Sequence, residues 1–276
     1  MTRFSVCQLG LPGTSFDEDV ALCAELGIGL GADESKFPED ENAAAAALAD
    51  AGVPVTIACP ATLTLLPSPA VSGGPTYETR LAQVLRGIRR LAVTNPATVF
   101  VITGPAGDLG PERARAMAVE GLREAARVAK EVGVTLSVEI MRTSYADEWT
   151  FVHTIADGLQ LIEDVDPDLR IILDTWHMWD SPGVLPMIEK HADVIAGVQL
   201  SDYRLPFRAN MDRILPGDGV IDLPAMVRAL ERGGFTGWYD LEIFSDPQFP
   251  DSLWRRPQRA WVSEGRQKFA ELCGIE

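Results

Sequence analysis

The chain is poor in positive charge and poorer still in histidine. Of its 276 residues, 24 are Lys or Arg and three are His, against 40 Asp or Glu, which leaves a formal net charge of −16. A surface that acidic repels phosphate backbones and anionic headgroups, so neither nucleic acid nor a membrane surface is expected as a partner. Long apolar runs are missing too. Nothing approaches the ~18 consecutive apolar residues of a membrane span, and the opening MTRFSVCQLG has no apolar core of the kind a secretory leader needs. The four cysteines (Cys7, Cys23, Cys59 and Cys273) show no C-x-x-C spacing. That disfavours a zinc knuckle or a disulfide framework and fits buried, reduced thiols in a cytoplasmic protein. No G-x-G-x-x-G follows the first apolar run, which weakens a dinucleotide-binding reading.

What is present is an alternation. Short runs rich in β-branched residues lie at 4–9, 28–33, 53–59, 98–103, 135–140, 170–174, 194–200 and 238–244. Their length and composition favour strands over pieces of buried helix. Helical patterns fall between them, at 15–26, 41–52, 76–93, 111–132, 150–164 and 222–233, with a last helix inside 258–273. Ser15 with Glu18 reads as a capping box, and Gly52 as a helix stop. Eight strands in one unbroken alternation, with no linker or shift in composition, predict an α/β fold. The expected architecture is a (β/α)8 TIM barrel that forms a single domain over 1–276, with an open doubly wound sheet as the rival. The longer loops are 60–75, 203–221 and 245–257, and the last, rich in Pro and aromatic residues, is the expected lid.

In such a barrel the chemistry sits at the C-terminal ends of the strands. Four consecutive ends offer oxygen ligands there: Glu139, Asp174, Gln199 and Glu242. Any one of these carboxylates alone is more often a solvated strand end or half of an ion pair. Three together would repel one another unless a cation stood among them. Arg142 and Arg204 are the nearest basic residues in sequence, so one divalent ion (Mn2+, Mg2+ or Co2+) is the economical answer. His177 follows Asp174 by one helical turn, where an imidazole contacts substrate or handles protons; the alternative is a capping or core histidine. Trp176, Trp179, Trp149 and Phe207 are either core or a stacking surface for sugar rings.

Strands five to eight, over about 134–244, resemble the xylose isomerase-like TIM barrels. That family includes ketose 3-epimerases, hydroxypyruvate isomerase, inosose dehydratase and metal-dependent dehydroshikimate dehydratase. The residues that carry the resemblance are Glu139, Asp174 with His177, Gln199 with Asp202 and Arg204, the PGDG of 216–219, and Glu242. The resemblance implies that Glu139, Asp174, Gln199 and Glu242 hold the metal. It also implies that His177 and Arg204 hold substrate oxygens; Trp176 and Trp179 beside them are the expected stacking surface for the substrate. Two positions depart from the epimerase pattern: Gln199 stands where His is usual, and Tyr145 where a second Glu is usual. The apurinic endonuclease branch, with its many histidines, is not resembled.

The chemistry implied is proton abstraction next to a carbonyl, through an enediolate, with Glu139 and Glu242 as the acid–base pair on the two faces of the substrate. The expected substrate is a non-phosphorylated ketose, keto-sugar or inosose, since PGDGVID adds Asp218 and Asp222 to any phosphate site. Arg204, Arg208 and Arg213 remain able to read a carboxylate or phosphate. The primary expectation is an isomerase or epimerase. A dehydratase or lyase (inosose, dehydroshikimate or C-glycoside cleaving) and a non-catalytic metal-binding barrel subunit stand as alternatives. Homo-oligomers are compatible with all three.

Overall fold

A computed structural model describes residues 3–274. Its eight strands are β1 (Phe4–Cys7), β2 (Gly29–Gly31), β3 (Ile57–Ala58), β4 (Thr98–Val101), β5 (Leu136–Ile140), β6 (Arg170–Asp174), β7 (Ile195–Leu200) and β8 (Trp238–Leu241). Seven parallel pairings place them in the order β2-β1-β8-β7-β6-β5-β4-β3. Four backbone bonds among the described residues bridge the gap between β2 and β3. Leu30 N–H donates to Pro54 O at 2.9 Å, Thr56 N–H to Leu30 O at 2.9 Å, Cys59 N–H to Ala32 O at 2.8 Å and Glu34 N–H to Cys59 O at 3.0 Å. The sheet is therefore a nearly closed parallel barrel, as the alternation predicts, and no long open edge is left to template aggregation.

Local chemistry sets the helix limits. The Ser15–Glu18 capping box opens Phe16–Leu26, and matching boxes at Thr76–Thr79 and Thr154–Asp157 open Tyr77–Ala92 and Ile155–Val165. Gly27, Gly52 and Gly133 end their helices with φ of 61°, 66° and 74°, which a residue without Cβ adopts at no steric cost. The helix expected at 150–164 starts at Ile155, because the Thr154 cap outcompetes the apolar stripe that reaches back to Phe151. Two helices went unpredicted, Thr175–Met178 and Val184–Lys190, both packed into the short β6–β7 connection. Among the described residues no helix is long and apolar enough to cross a membrane.

Inside the barrel the packing depends on missing side chains. A β carbon at Gly31 would lie 2.2 Å from Asp240 Oδ2, and one at Gly197 2.5 Å from Ile57 Cδ1. Ser5 Oγ donates to Asp240 Oδ1 at 2.6 Å and fixes that buried carboxyl against the glycine. Gly31→Ala should therefore destabilise the barrel by about 1–3 kcal/mol, the usual cost of overpacking a filled core. Urea unfolding of the two proteins, read at constant m-value, measures it.

Candidate active site

Parallel register brings the strand-end residues together. Asp174 lies directly beside Gln199 across β6 and β7. Glu139 is the penultimate residue of β5, and Glu242 follows β8, where its N–H donates to Leu200 O at 2.9 Å. All four side chains are buried, with relative exposures of 0–3%. Gln199 Nε2 donates to Glu242 Oε1 at 2.8 Å, and Cys7 Sγ approaches the same oxygen at 3.5 Å. Asp174 caps the short helix behind it by accepting Trp176 N–H at 2.8 Å. That helix carries His177 inward, with Nε2 3.6 Å from Asp174 Oδ2 and 4.0 Å from Glu139 Oε1.

The cation of the site is Arg213, supplied by the loop between β7 and β8 rather than by Arg142 or Arg204. Its Nη1 donates at 2.8 Å to Asp174 Oδ2 and at 2.8 Å to Glu242 Oε2, while Nη2 lies 3.4 Å from His177 Nε2. The guanidinium is sandwiched between Trp176 and Phe244, at 5.1 and 4.9 Å from their ring centres. One buried arginine thus faces three buried carboxylates. Burial, then the neighbouring charges of Glu242 and Asp174, push the Glu139 carboxyl well above its ordinary range. Burial also lifts Glu242, to about 7, with Arg213 holding it down, and raises Asp174 against the same opposing charge. His177 is driven well below its usual value by burial and by Arg213 and Arg142, which keeps the imidazole neutral.

A cavity of about 390 Å³ opens over this cluster, with Glu139, His177, Arg213 and Glu242 on one wall. Phe100, Trp149 and Phe244 contribute aromatic surface. The loop expected at 60–75 forms a further wall through Ala61, Leu63 and Val71. Arg80 shapes it from behind: this buried guanidinium donates to Thr64 O and Oγ1 at 3.0 and 2.6 Å and reaches the carbonyls of Val71, Ser72 and Gly74 at 3.3–3.4 Å. Segment 245–257, the expected lid, does not line the cavity. It is pinned against the barrel rim, where Trp254 Nε1 donates to Gly10 O and Ile243 O at 3.0 and 3.1 Å.

The remaining sequence candidates lie at one remove. Trp176 is buried behind the site and packs on Tyr145, His177 and Tyr203; Trp179 stacks on Tyr203 at 5.3 Å. Neither ring faces the cavity, whereas Trp149 and Tyr145 do. Arg204 turns outward to Asp212 and Asp251, at 3.1 Å each, beside Arg208, which pairs with the same two carboxylates. Phe207 is 49% exposed and stacks on Tyr203. Asp202 holds the PGDG turn: it accepts the N–H groups of Tyr203, Gly217, Gly219 and Ile221 at 2.8–3.1 Å. Sequence reading placed Arg213 only among loop arginines. The charge deficit of the strand ends points to a cation among the arginines of 204–213, but nothing in the sequence separates Arg213 from Arg204 and Arg208.

The residues present fit a divalent cation. Glu139, Asp174 and His177 offer ligand atoms that all lie within 4.8 Å of one another. Gln199 Oε1 is buried with no hydrogen-bond partner, and Glu139 Oε1 lies 4.0 Å from His177 Nε2, beyond hydrogen-bond distance. A buried amide oxygen without a donor is costly unless something positive meets it. Arg213 takes one oxygen each of Asp174 and Glu242, whose other oxygens accept from Trp176 N–H and Gln199 Nε2, so Glu139 and Gln199 Oε1 make up the side open to an ion.

The raised Glu242 has a thermodynamic signature. A carboxyl whose folded pKa is about 7 against a reference of 4.5 binds its proton more tightly folded than unfolded. Stability then falls as pH rises through that window, by up to about 3 kcal/mol from this group. In EDTA, wild type should lose more stability than Glu242→Gln between pH 5 and 7.5; parallel urea midpoints for the two would remove Glu242 as the source.

The family model described as a xylose isomerase-like TIM barrel matches residues 20–272. A curated relative, the inosose dehydratase of Erwinia tasmaniensis, is 30% identical over 149 residues, which are 48% of this chain and 48% of the relative. The chain thus spans about half the length of the curated relatives it matches. Among solved structures, protein SMc04130 from Sinorhizobium meliloti 1021 has a TM-score of 0.87 at 24% identity over 98% of both chains. The IOLI protein with a bound zinc atom has a TM-score of 0.81 at 15% identity over 99% of this chain and 98% of its own. The apo 3-keto-D-glucoside 4-epimerase of E. coli has a TM-score of 0.76 at 19% identity over 97% and 100%. At these identities the solved structures bear on the fold alone. Together with the barrel and the match over 20–272, they carry one conclusion: the chain belongs to the xylose isomerase-like TIM barrel family.

Proposed function

We propose that the chain is a divalent-metal-dependent enzyme that removes a proton from the carbon next to a carbonyl of a non-phosphorylated ketose, keto-sugar or inosose. The observation that carries this reading is the convergence of three buried, pKa-raised carboxylates and an unpartnered amide oxygen at neighbouring strand ends, with Glu139 and Glu242 opening onto one cavity. Glu139, Asp174, Gln199 and Glu242 would hold the ion, as Mn2+, Mg2+ or Co2+. When bound, it acidifies the C–H beside the carbonyl it polarises.

The side chains divide the remaining work. Glu139, without hydrogen-bond donors of its own, is the base that takes the proton. Glu242, fixed by Arg213 and Gln199, is the group that returns a proton. Arg213 Nε is buried without a partner in the same wall, so its N–H is available to the oxygen on which charge develops. His177, held neutral, lines the substrate cavity and accepts from Arg213 at Nε2, so it positions the guanidinium beside the substrate without adding charge. The acidic wall disfavours a phosphorylated substrate. Return of the proton to carbon gives isomerisation or epimerisation. Delivery of the proton to a departing hydroxyl gives water and a dehydrated ketone, the reading favoured by the similarity to an inosose dehydratase.

Two measurements test this. Metal analysis should find one divalent ion per chain in wild type and none in the Glu139→Gln, Glu242→Gln double variant; wild-type affinity in that variant would sink the ligand set. Incubation with Mn2+ and a panel of ketoses, 3-keto-glucosides and inososes in D2O should place deuterium next to the carbonyl, and EDTA should abolish it. Product analysis in the same tubes separates isomer from dehydrated ketone. A substrate turned over without deuterium in product or recovered substrate, and without a primary isotope effect when chemistry limits the rate, rules the mechanism out. His177→Ala should keep its ion and its melting temperature within a few degrees while losing about 10²-fold in kcat/KM, the scale of a lost acid–base or orienting group.

A further inference from the structure

His177 belongs to two cavities. One is the cavity described above. The other, of about 490 Å³, lies between the segments that follow β5 and β6. The imidazole is 1% exposed and its Nε2 faces the Arg213 guanidinium at 3.4 Å. A guanidinium only donates, so Nε2 meets it without a proton and Nδ1 carries the ring N–H. That N–H is buried and has no acceptor among the described residues.

The wall of the second cavity holds another such donor. Arg142 Nη2 pairs with Asp180 at 2.9 Å, and its guanidinium packs over Trp176 and Tyr203 at 5.2 and 5.0 Å. Arg142 Nη1 is buried with no partner. Thr154, Ile155 and Ala156 at the N-terminal turn of helix Ile155–Val165 line the same space and present the positive end of its dipole. Asp157, the acidic group of that turn, is already committed to the N–H groups of His153 and Thr154. Arg142 and His177 both line this cavity and each holds a buried donor without an acceptor, which is rare in folded proteins.

We propose that this second cavity binds a small oxyanion, a carboxylate or a tetrahedral anion, whose oxygens accept from Arg142 Nη1 and His177 Nδ1–H. The imidazole then links it to the active site, because an acceptor on Nδ1–H fixes the tautomer whose bare Nε2 receives Arg213. Asp180, with its side chain 43% exposed, competes for the Arg142 fork from the rim. The inference concerns binding and stands whether or not the proposed proton chemistry is correct.

The test uses the metal-loaded protein, with sodium acetate and sodium sulfate as separate probes against sodium chloride at equal ionic strength, read by calorimetry and by the imidazole N–H resonances. Saturable binding at one site per chain with a shifted Nδ1–H signal is expected, and whichever probe binds identifies the anion class. Arg142→Gln should weaken binding about tenfold or more, the scale of one lost charge-assisted bond. Asp180→Asn should tighten it by removing the competing carboxylate, an opposite change that general destabilisation cannot mimic. If Arg142→Gln does not fold, Asp180→Asn decides alone. Absence of saturable binding by either probe, unchanged affinity in both variants, or binding lost in Arg213→Gln but kept in Arg142→Gln would overturn the assignment.

Discussion

The site depends on a single guanidinium. Arg213 is buried to within a few percent of complete, and its Nη1 bridges Asp174 and Glu242. Without it three carboxylates at the end of one barrel would share no counter-charge, and each would hold its proton in place of a charge. With it, two of the three become an ordered ion pair and the third, Glu139, stays unpaired. The aromatic rings of Trp176 and Phe244 clamp the guanidinium from two sides, so its position is set by packing as well as by charge. This explains why Trp176, which never reaches the cavity, belongs to the site: it is the floor on which the cation rests.

The barrel makes that arrangement affordable in structural terms. Parallel strands in register deliver Asp174 and Gln199 side by side, with Glu139 on β5 and Glu242 immediately after the end of β8. The loops then add what strands cannot. The β7–β8 connection carries Arg213 back over the barrel, tethered by its N–H to Phe244 O at 2.9 Å and by the Asp202–Ile214 bridge. The wall at 60–75 is held by Arg80, whose donors all go to hydroxyl and carbonyl oxygens of that loop. Rigid strands thus place the carboxylates, while two buried arginines, one per loop, place what surrounds them.

This division also governs what was legible in the sequence. Strand-end carboxylates could be read because each terminates an apolar β-branched run, and a parallel barrel converts sequence position along a strand into height in the fold. RIILD is the clearest case: 170–174 is the strand as predicted, with Asp174 its last residue. Strand β3 was harder, since only Ile57–Ala58 pair regularly although 53–59 reads as one strand. The loops were opaque. Arg204, Arg208 and Arg213 look alike in sequence, and only the path of the backbone sends the first two to Asp212 and Asp251 and the third inward. The lid expectation at 245–257 failed for a related reason: its aromatic residues serve to anchor it, as the Trp254 hydrogen bonds to the rim show, and aromatic content alone does not distinguish an anchor from a cover.

The two candidate proton-transfer groups are not equivalent, and the asymmetry follows from the same guanidinium. Glu242 receives hydrogen bonds from Arg213, Gln199 and Cys7, so its carboxylate is fixed in one orientation and its proton affinity rises only to about 7. Glu139 receives none among the described residues, and both burial and the two neighbouring carboxylates raise its proton affinity further. The two carboxyls therefore differ in how they are held: Glu242 is fixed by three donors and poised near neutrality, while Glu139 has its proton affinity raised further by burial and by its carboxylate neighbours. Arg213 lowers the proton affinity of both carboxyls through its charge but hydrogen-bonds to only one of them, so the difference between the pair is set by the path of the β7–β8 loop and not by the strands that precede the carboxylates.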